Sequence, residues 1–168
     1  GIGAACVRLF AGHGAGVVVG FHSGEERARA LIADLPGTGH IAMRIPLEDP
    51  KAHEAVAHQL AEVAKELHVL VNSAGYTQRI AHADFDTLTP ELFNAFLVAN
   101  AGGPYSITRA LLPLLRASDQ AVVVNVSSVS AFTGAGSNIA YCAAKAALDT
   151  MTLSMARACG PAVRMLSV

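Results

Sequence analysis

Val122-Val123-Val124-Asn125-Val126 is a β-branched run broken by one asparagine, of strand length and too short for a buried helix. Ser127 and Ser128 follow it, so an apolar strand gives way to polar side chains at its carboxyl end. The same pattern occurs upstream. Val69-Leu70-Val71 runs into Asn72-Ser73-Ala74-Gly75, and Val17-Val18-Val19-Gly20 runs into Phe21-His22-Ser23. Further strands are expected over His40 to Ile45 and Val163 to Val168. Helical period fills the intervals: Ala4 to Ala11, and Ser23 to Leu35 with Ser23 as cap and Pro36-Gly37 as stop. Asp49-Pro50 opens a helix through Leu67, with Val56, Leu60, Val63 and Leu67 on one side. Thr89-Pro90 starts a long helix toward Leu115, kinked at Gly102-Gly103-Pro104, and a last helix runs from Asn138 to Cys159.

Strands that alternate with helices and are continuously apolar belong to a parallel sheet covered on both faces. The expected fold is therefore a single α/β domain of the Rossmann-type, doubly wound class. Composition agrees: 168 residues suit one domain, and 52% apolar with 15% charged residues excludes disorder. A net charge of −1 offers no basic face for nucleic acid. The most apolar long stretch, Leu92 to Leu115, is interrupted by Asn94, Asn100, Gly102, Gly103, Pro104 and Arg109, so no membrane span is expected. Three cysteines, Cys6, Cys142 and Cys159, suit a reduced, cytoplasmic setting. Seven scattered histidines with no His-x-x-x-His or Cys-x-x-Cys pair predict no metal site.

In open sheets of this class ligands bind beyond the carboxyl ends of the strands, where the polar residues of this sequence collect. On the helix that follows Ser127-Ser128, Tyr141 and Lys145 stand four residues apart and share a face. A free phenol, with a pKa near 10, is a poor base at neutral pH and needs a shift of about 2–3 units, roughly 3–4 kcal/mol. A cation about 5 Å away at an effective dielectric near 20 supplies about 3 kcal/mol. Alone, the pair also fits a solvated lysine beside a packed tyrosine.

Its surroundings are more specific. Val124-Asn125-Val126-Ser127-Ser128, an interval of thirteen residues from Ser128 to Tyr141, and Tyr141-Cys142-Ala143-Ala144-Lys145-Ala146-Ala147-Leu148 together resemble the active-site region of the short-chain dehydrogenase/reductase family. Asn72-Ser73-Ala74-Gly75 resembles that family's Asn-Asn-Ala-Gly motif, and Asn100 falls where the family has its helix asparagine. Gly1-Ile2-Gly3 is similar to the second half of its glycine-rich phosphate loop.

The resemblance implies an NAD(P)(H)-dependent oxidoreductase that interconverts a ketone or aldehyde and an alcohol. Tyr141 would be the general acid or base, and Lys145 would lower its pKa while binding the nicotinamide ribose. Ser128 would hydrogen-bond the substrate oxygen, and Asn100 would hold a water linking Lys145 to solvent. Gly1, Ile2 and Gly3 would bring a helix N-terminus to the pyrophosphate, and Asn72, Ala74 and Gly75 would line the cofactor. Plainer roles stand beside these: Asn100 bridging backbone at the kink, Asn72 tying neighbouring strands, Ser127 structural, and Cys142 facing the core. A homodimer or homotetramer is implied by the same resemblance.

No carboxylate ends the Val17–Gly20 strand to take ribose hydroxyls, whereas His22 and Ser23 would accommodate a 2′-phosphate, so NADP(H) is favoured over NAD(H). The plainer alternative is that His22 is a solvent-facing loop residue. The family's Asp-Val after the next strand is replaced by Pro46-Leu47, with Leu47 left to pack the adenine. Residues 1–168 thus read as a dinucleotide-binding catalytic domain, incomplete at both ends relative to the family. The resemblance places a central strand before Gly1, and without it two rows of backbone groups are expected to lack partners. The rival reading is a non-catalytic NADP(H)-binding sensor with the same fold, against which Asn100, Ser128, Tyr141 and Lys145 together argue.

Overall fold

Three strands, β3 (Val69–Asn72), β4 (Ala121–Asn125) and β5 (Val163–Ser167), form a parallel ladder in the order β3-β4-β5. The computed structural model describes residues 1–168, and in it β1 (Val18–Phe21) pairs with β2 (Ile41–Arg44), also in parallel. No ladder joins β1 to β3, so each keeps one edge without a strand partner, at the place where the resemblance puts a further strand.

The helices are α1 (Ile2–Gly12), α2 (Glu25–Ala33), α3 (Pro50–Val63), α4 (Pro90–Leu97), α5 (Gly103–Arg116), α6 (Ser130–Thr133) and α7 (Ile139–Cys159). Asp49 caps α3 by accepting from the amides of Lys51 and Ala52, and Thr89 caps α4 by accepting from Leu92, each with proline in the first turn. The main core joins α3, α5, β4 and β5 through Leu60, Leu111, Leu115, Val123 and Val163. Each fully buried residue of this kind contributes about 1.5–3 kcal/mol. Cys142 is buried, as expected of a small core-facing residue.

Several boundaries depart from the sequence expectation. Helix α2 starts at Glu25 with Gly24 at its cap position, so Ser23 stays outside and caps nothing. Helix α3 ends at Val63 rather than Leu67; Ala64 is extended and Val63 is 70% exposed. Leu67 packs instead on the core from the lead into β3, where its amide donates to the Leu114 carbonyl, and this tertiary contact overrides the helical period. The long helix is relieved at Val98–Gly102 by a π-helical turn, so the distortion begins ahead of Gly102-Gly103-Pro104. Helix α6 is unforeseen; it stops at Gly134, whose φ of 63° suits a residue without Cβ.

Candidate active site

The first turn of α7 is set by Asn138, a fully buried side chain that works in two directions. Its Oδ1 accepts from the Tyr141 amide at 2.7 Å, capping the helix, and its Nδ2 donates to the Gln78 carbonyl at 2.7 Å. Tyr141 is thereby fixed relative to the loop beyond β3. One turn on, Lys145 is only 6% exposed, so the solvated reading of this lysine fails. Its Nζ donates to the Val126 carbonyl at 2.7 Å and lies 5.7 Å from the centre of the Tyr141 ring. Burial pushes the Lys145 ammonium below the ordinary lysine value, and the Asp149 carboxylate, a further turn along α7, opposes that shift.

The Val126 bond anchors α7 to the end of β4, two residues before Ser128. Ser128 is half-buried, and its Oγ accepts from the Ser130 amide at 3.1 Å, holding the hydroxyl at the entry to α6. A cavity of about 160 Å³ opens here, lined by Ser127, Ser128, Phe132, Asp149 and Ser167 among others. The Ser127 hydroxyl and both Asp149 oxygens are buried without a hydrogen-bond partner. Another concavity, of about 360 Å³ against Arg29, Ile32 and His40, lies on α2 and β2 and includes none of the predicted residues.

On the β3 side, Asn100 is buried in the π turn. Its Nδ2 donates to the carbonyls of Tyr76 and Phe96, and its Oδ1 accepts from the Tyr76 amide at 3.1 Å. The side chain therefore does bridge backbone at the kink, and through Tyr76 it holds the loop containing Gly75. A Cβ on Gly75 would sit 2.9 Å from Asn100 Oδ1 and 3.9 Å from Lys145 Nζ, so the missing side chain leaves room between those two groups. Asn72 ties strands as its plainer reading has it: its Nδ2 donates to Asn125 Oδ1 at 2.8 Å and to Thr108 Oγ1. Asn125 donates onward to Thr152 Oγ1. This polar chain locks α5, β3, β4 and α7 together at the strand ends.

The structure gathers Asn72, Gly75, Asn100, Ser128, Tyr141 and Lys145 around the ends of β3 and β4, with Ala74 exposed in the same loop. Gly3 joins them, since a Cβ there would lie 2.7 Å from Ser73 Oγ, whereas Gly1 and Ile2 are exposed at the start of α1. His22 and Ser23 are exposed just past β1, and Leu47 follows β2 against Gly103, apart from the Tyr141 cluster. Asn138, Asn125, Thr152 and Asp149 support the site without having been singled out from sequence. Asn125 had a readable signal, a second asparagine ending a buried strand, and the register pairs it with Asn72.

A sequence model of the short chain dehydrogenases matches residues 1–168. The chain belongs to this family. It is 35% identical over 172 residues to a Streptomyces violaceoruber protein named as a ketoacyl reductase of the granaticin polyketide synthase, covering 100% of this chain and 67% of that protein. L-fucose dehydrogenase of Bos taurus is 32% identical over 156 residues, covering 93% of this short-chain dehydrogenase and 56% of the bovine protein. Among solved structures, one assigned to the short-chain dehydrogenase/reductases of Burkholderia xenovorans superposes with a TM-score of 0.93 at 34% identity, over 99% of this chain and 71% of that one. A metagenomic short-chain oxidoreductase in complex with NADP superposes with a TM-score of 0.85 at 27% identity, over 99% of this chain and 75% of that one. These matches establish the doubly wound fold for this short-chain dehydrogenase. No helix is long and apolar enough to cross a membrane.

Proposed function

We propose that the protein is an NAD(P)(H)-dependent oxidoreductase that interconverts a ketone or aldehyde and an alcohol, with NADP(H) favoured over NAD(H). The observation that carries this reading is the buried Lys145 ammonium, pinned to the Val126 carbonyl one turn from the Tyr141 phenol. Close approach at glycine supports the fit to a dinucleotide: Gly75 leaves open the space between Asn100 and Lys145, and no side chain caps the first-turn amides of α1 beside Ser73. The exposed His22 and Ser23, with no acidic residue on β1, support room for a 2′-phosphate.

When bound, the nicotinamide supplies or takes the hydride. In carbonyl reduction the Tyr141 hydroxyl gives its proton to the substrate oxygen, while Ser128 Oγ donates a hydrogen bond to that oxygen and fixes its place. The Lys145 cation favours the negative charge left on the Tyr141 oxygen, at a site where burial strengthens the interaction. Its remaining N–H groups would hold ribose hydroxyls. Asn100 sets the backbone next to Gly75, and a water at this turn would return the proton from solvent through Lys145. In alcohol oxidation the same groups act in reverse, with Tyr141 as the base.

Ala74 and Leu47 contribute apolar contacts to the cofactor in this reading, and the small, exposed residues Gly134 and Ala135 leave space for a carbonyl or secondary alcohol, whereas Gly136 packs against Ser130 and Cys142. Val98, Tyr105 and Leu153, between 46% and 54% exposed on the π turn, α5 and α7, support a homodimer or homotetramer. A cytoplasmic protein with free thiols is the matching setting. Full-length protein mixed with NADPH or NADH and a panel of ketones and aldehydes tests the assignment through the loss of reduced-nicotinamide absorbance. Consumption with at least one carbonyl is expected, and cofactor binding without turnover of any of them would support a sensor instead.

A further inference from the structure

His53 lies in α3, outside the Tyr141 cluster, and is 1% exposed. Both ring nitrogens are engaged: Nε2 is 2.7 Å from the Pro46 carbonyl, and Nδ1 is 2.8 Å from Ser106 Oγ. A carbonyl only accepts, so Nε2–H donates to Pro46, and Nδ1 shares a hydrogen bond with the Ser106 hydroxyl. The ring thus bolts the turn after β2 to α5 through α3.

Pro46 has no N–H, and its buried carbonyl is the one backbone polar group it brings to this turn. Such a carbonyl needs a donor, and His53 is that donor. The other side of the turn is held by contact, since a Cβ on Gly103 would come within 2.6 Å of the Leu47 carbonyl and 3.3 Å of its Cβ. Leu47 is therefore clamped between the His53 bond and the face of α5. It stands just beyond the carboxyl end of β2, in a strand layer whose ligands bind at that end.

We propose that His53 is a positioning residue for the adenine end of the dinucleotide: by holding the Pro46 carbonyl and Ser106 at once, it fixes the place of Leu47 in the cleft. The inference rests on the dinucleotide-binding reading and adds a residue that the nucleotide never touches.

The test compares full-length wild type with His53→Leu, His53→Gln and Ser106→Ala. Each is titrated with the reduced dinucleotide, with the adenosine fragment that wild type binds (5′-AMP or 2′,5′-ADP), and with reduced nicotinamide mononucleotide. His53→Leu is expected to weaken the dinucleotide and the adenosine fragment by about tenfold, leaving the mononucleotide and kcat at saturating cofactor within about twofold. His53→Gln, which keeps a donor for Pro46, recovers part of the loss. Ser106→Ala, which removes one of the two bonds, weakens the adenosine fragment by about threefold and keeps the test decisive if His53→Leu does not fold. Unchanged adenosine affinity in Ser106→Ala and His53→Leu, or an equal loss for all three ligands, overturns the proposal. Wild type that binds no dinucleotide overturns both this inference and the reading beneath it, whereas normal wild-type binding with indifferent variants removes His53 alone.

Discussion

Lys145 Nζ stands 5.7 Å from the centre of the Tyr141 ring while donating to the Val126 carbonyl at 2.7 Å. The carbonyl anchors the cation to the end of β4, so in the proposed reaction the charge would already stand beside the phenol. Its burial has a price in stability, and that sets up a pH dependence with a definite sign.

Burial holds Lys145 below its ordinary value of 10.5, with Asp149 opposing in part. Between the depressed folded value and 10.5 the unfolded chain binds the extra proton, so this group makes stability rise with pH across that window. Denaturant unfolding over a pH series should show the rise in wild type, and Lys145→Met should lose it. Activity should fall over the same window as the ammonium is lost. An identical stability slope in the two proteins contradicts the assignment.

Asn138→Ala removes the α7 cap and leaves the Gln78 carbonyl without its donor. A destabilisation of about 1–3 kcal/mol is expected by chemical denaturation, with kcat reduced because Tyr141 is seated on that cap. Asn138→Asp keeps the acceptor but not the donor and should recover only part of the stability.

Gly75→Ala places a methyl 2.9 Å from Asn100 Oδ1, on a side chain already committed to Tyr76 and Phe96. Asn100 cannot yield without breaking one of those bonds. A loss of about tenfold or more in kcat/KM is expected alongside an unfolding midpoint lowered by only a few degrees. Wild-type kinetics in this variant would show that the space is not used.

The layout of strands and helices was legible because β1, β3 and β4 are short, β-branched and followed by polar residues, and because Asp49, Thr89 and Asn138 mark helix starts chemically. What escaped reading was set by tertiary contact. Leu67 continues a helical period and yet serves the core from an extended segment. Ser23 is a good cap by type, but the chain turns two residues later. The spacing of Tyr141 and Lys145 showed a shared face; it could not show that Lys145 is buried against Val126. Asn100 and Asn72 carry side-chain bonds to groups 24 to 53 residues away, and such pairings have no local signature.

The proposed preference for NADP(H) rests on β1, which ends without a carboxylate and leaves His22 and Ser23 exposed. NADPH should be preferred over NADH by about tenfold in kcat/KM, and His22→Asp should move the ratio toward NADH by offering an acceptor to the ribose hydroxyls. Preference for NADH by wild type would contradict this.

The proposed proton shuttle through Tyr141 is tested most directly by hydride transfer in Tyr141→Phe, measured in a single turnover with bound reduced cofactor and a carbonyl that wild type accepts. A fall of about 10²–10⁴-fold in rate, with cofactor affinity within about threefold of wild type, is the predicted result. Transfer within about tenfold of the wild-type rate would contradict the account, because the phenol would then have no part in the reaction.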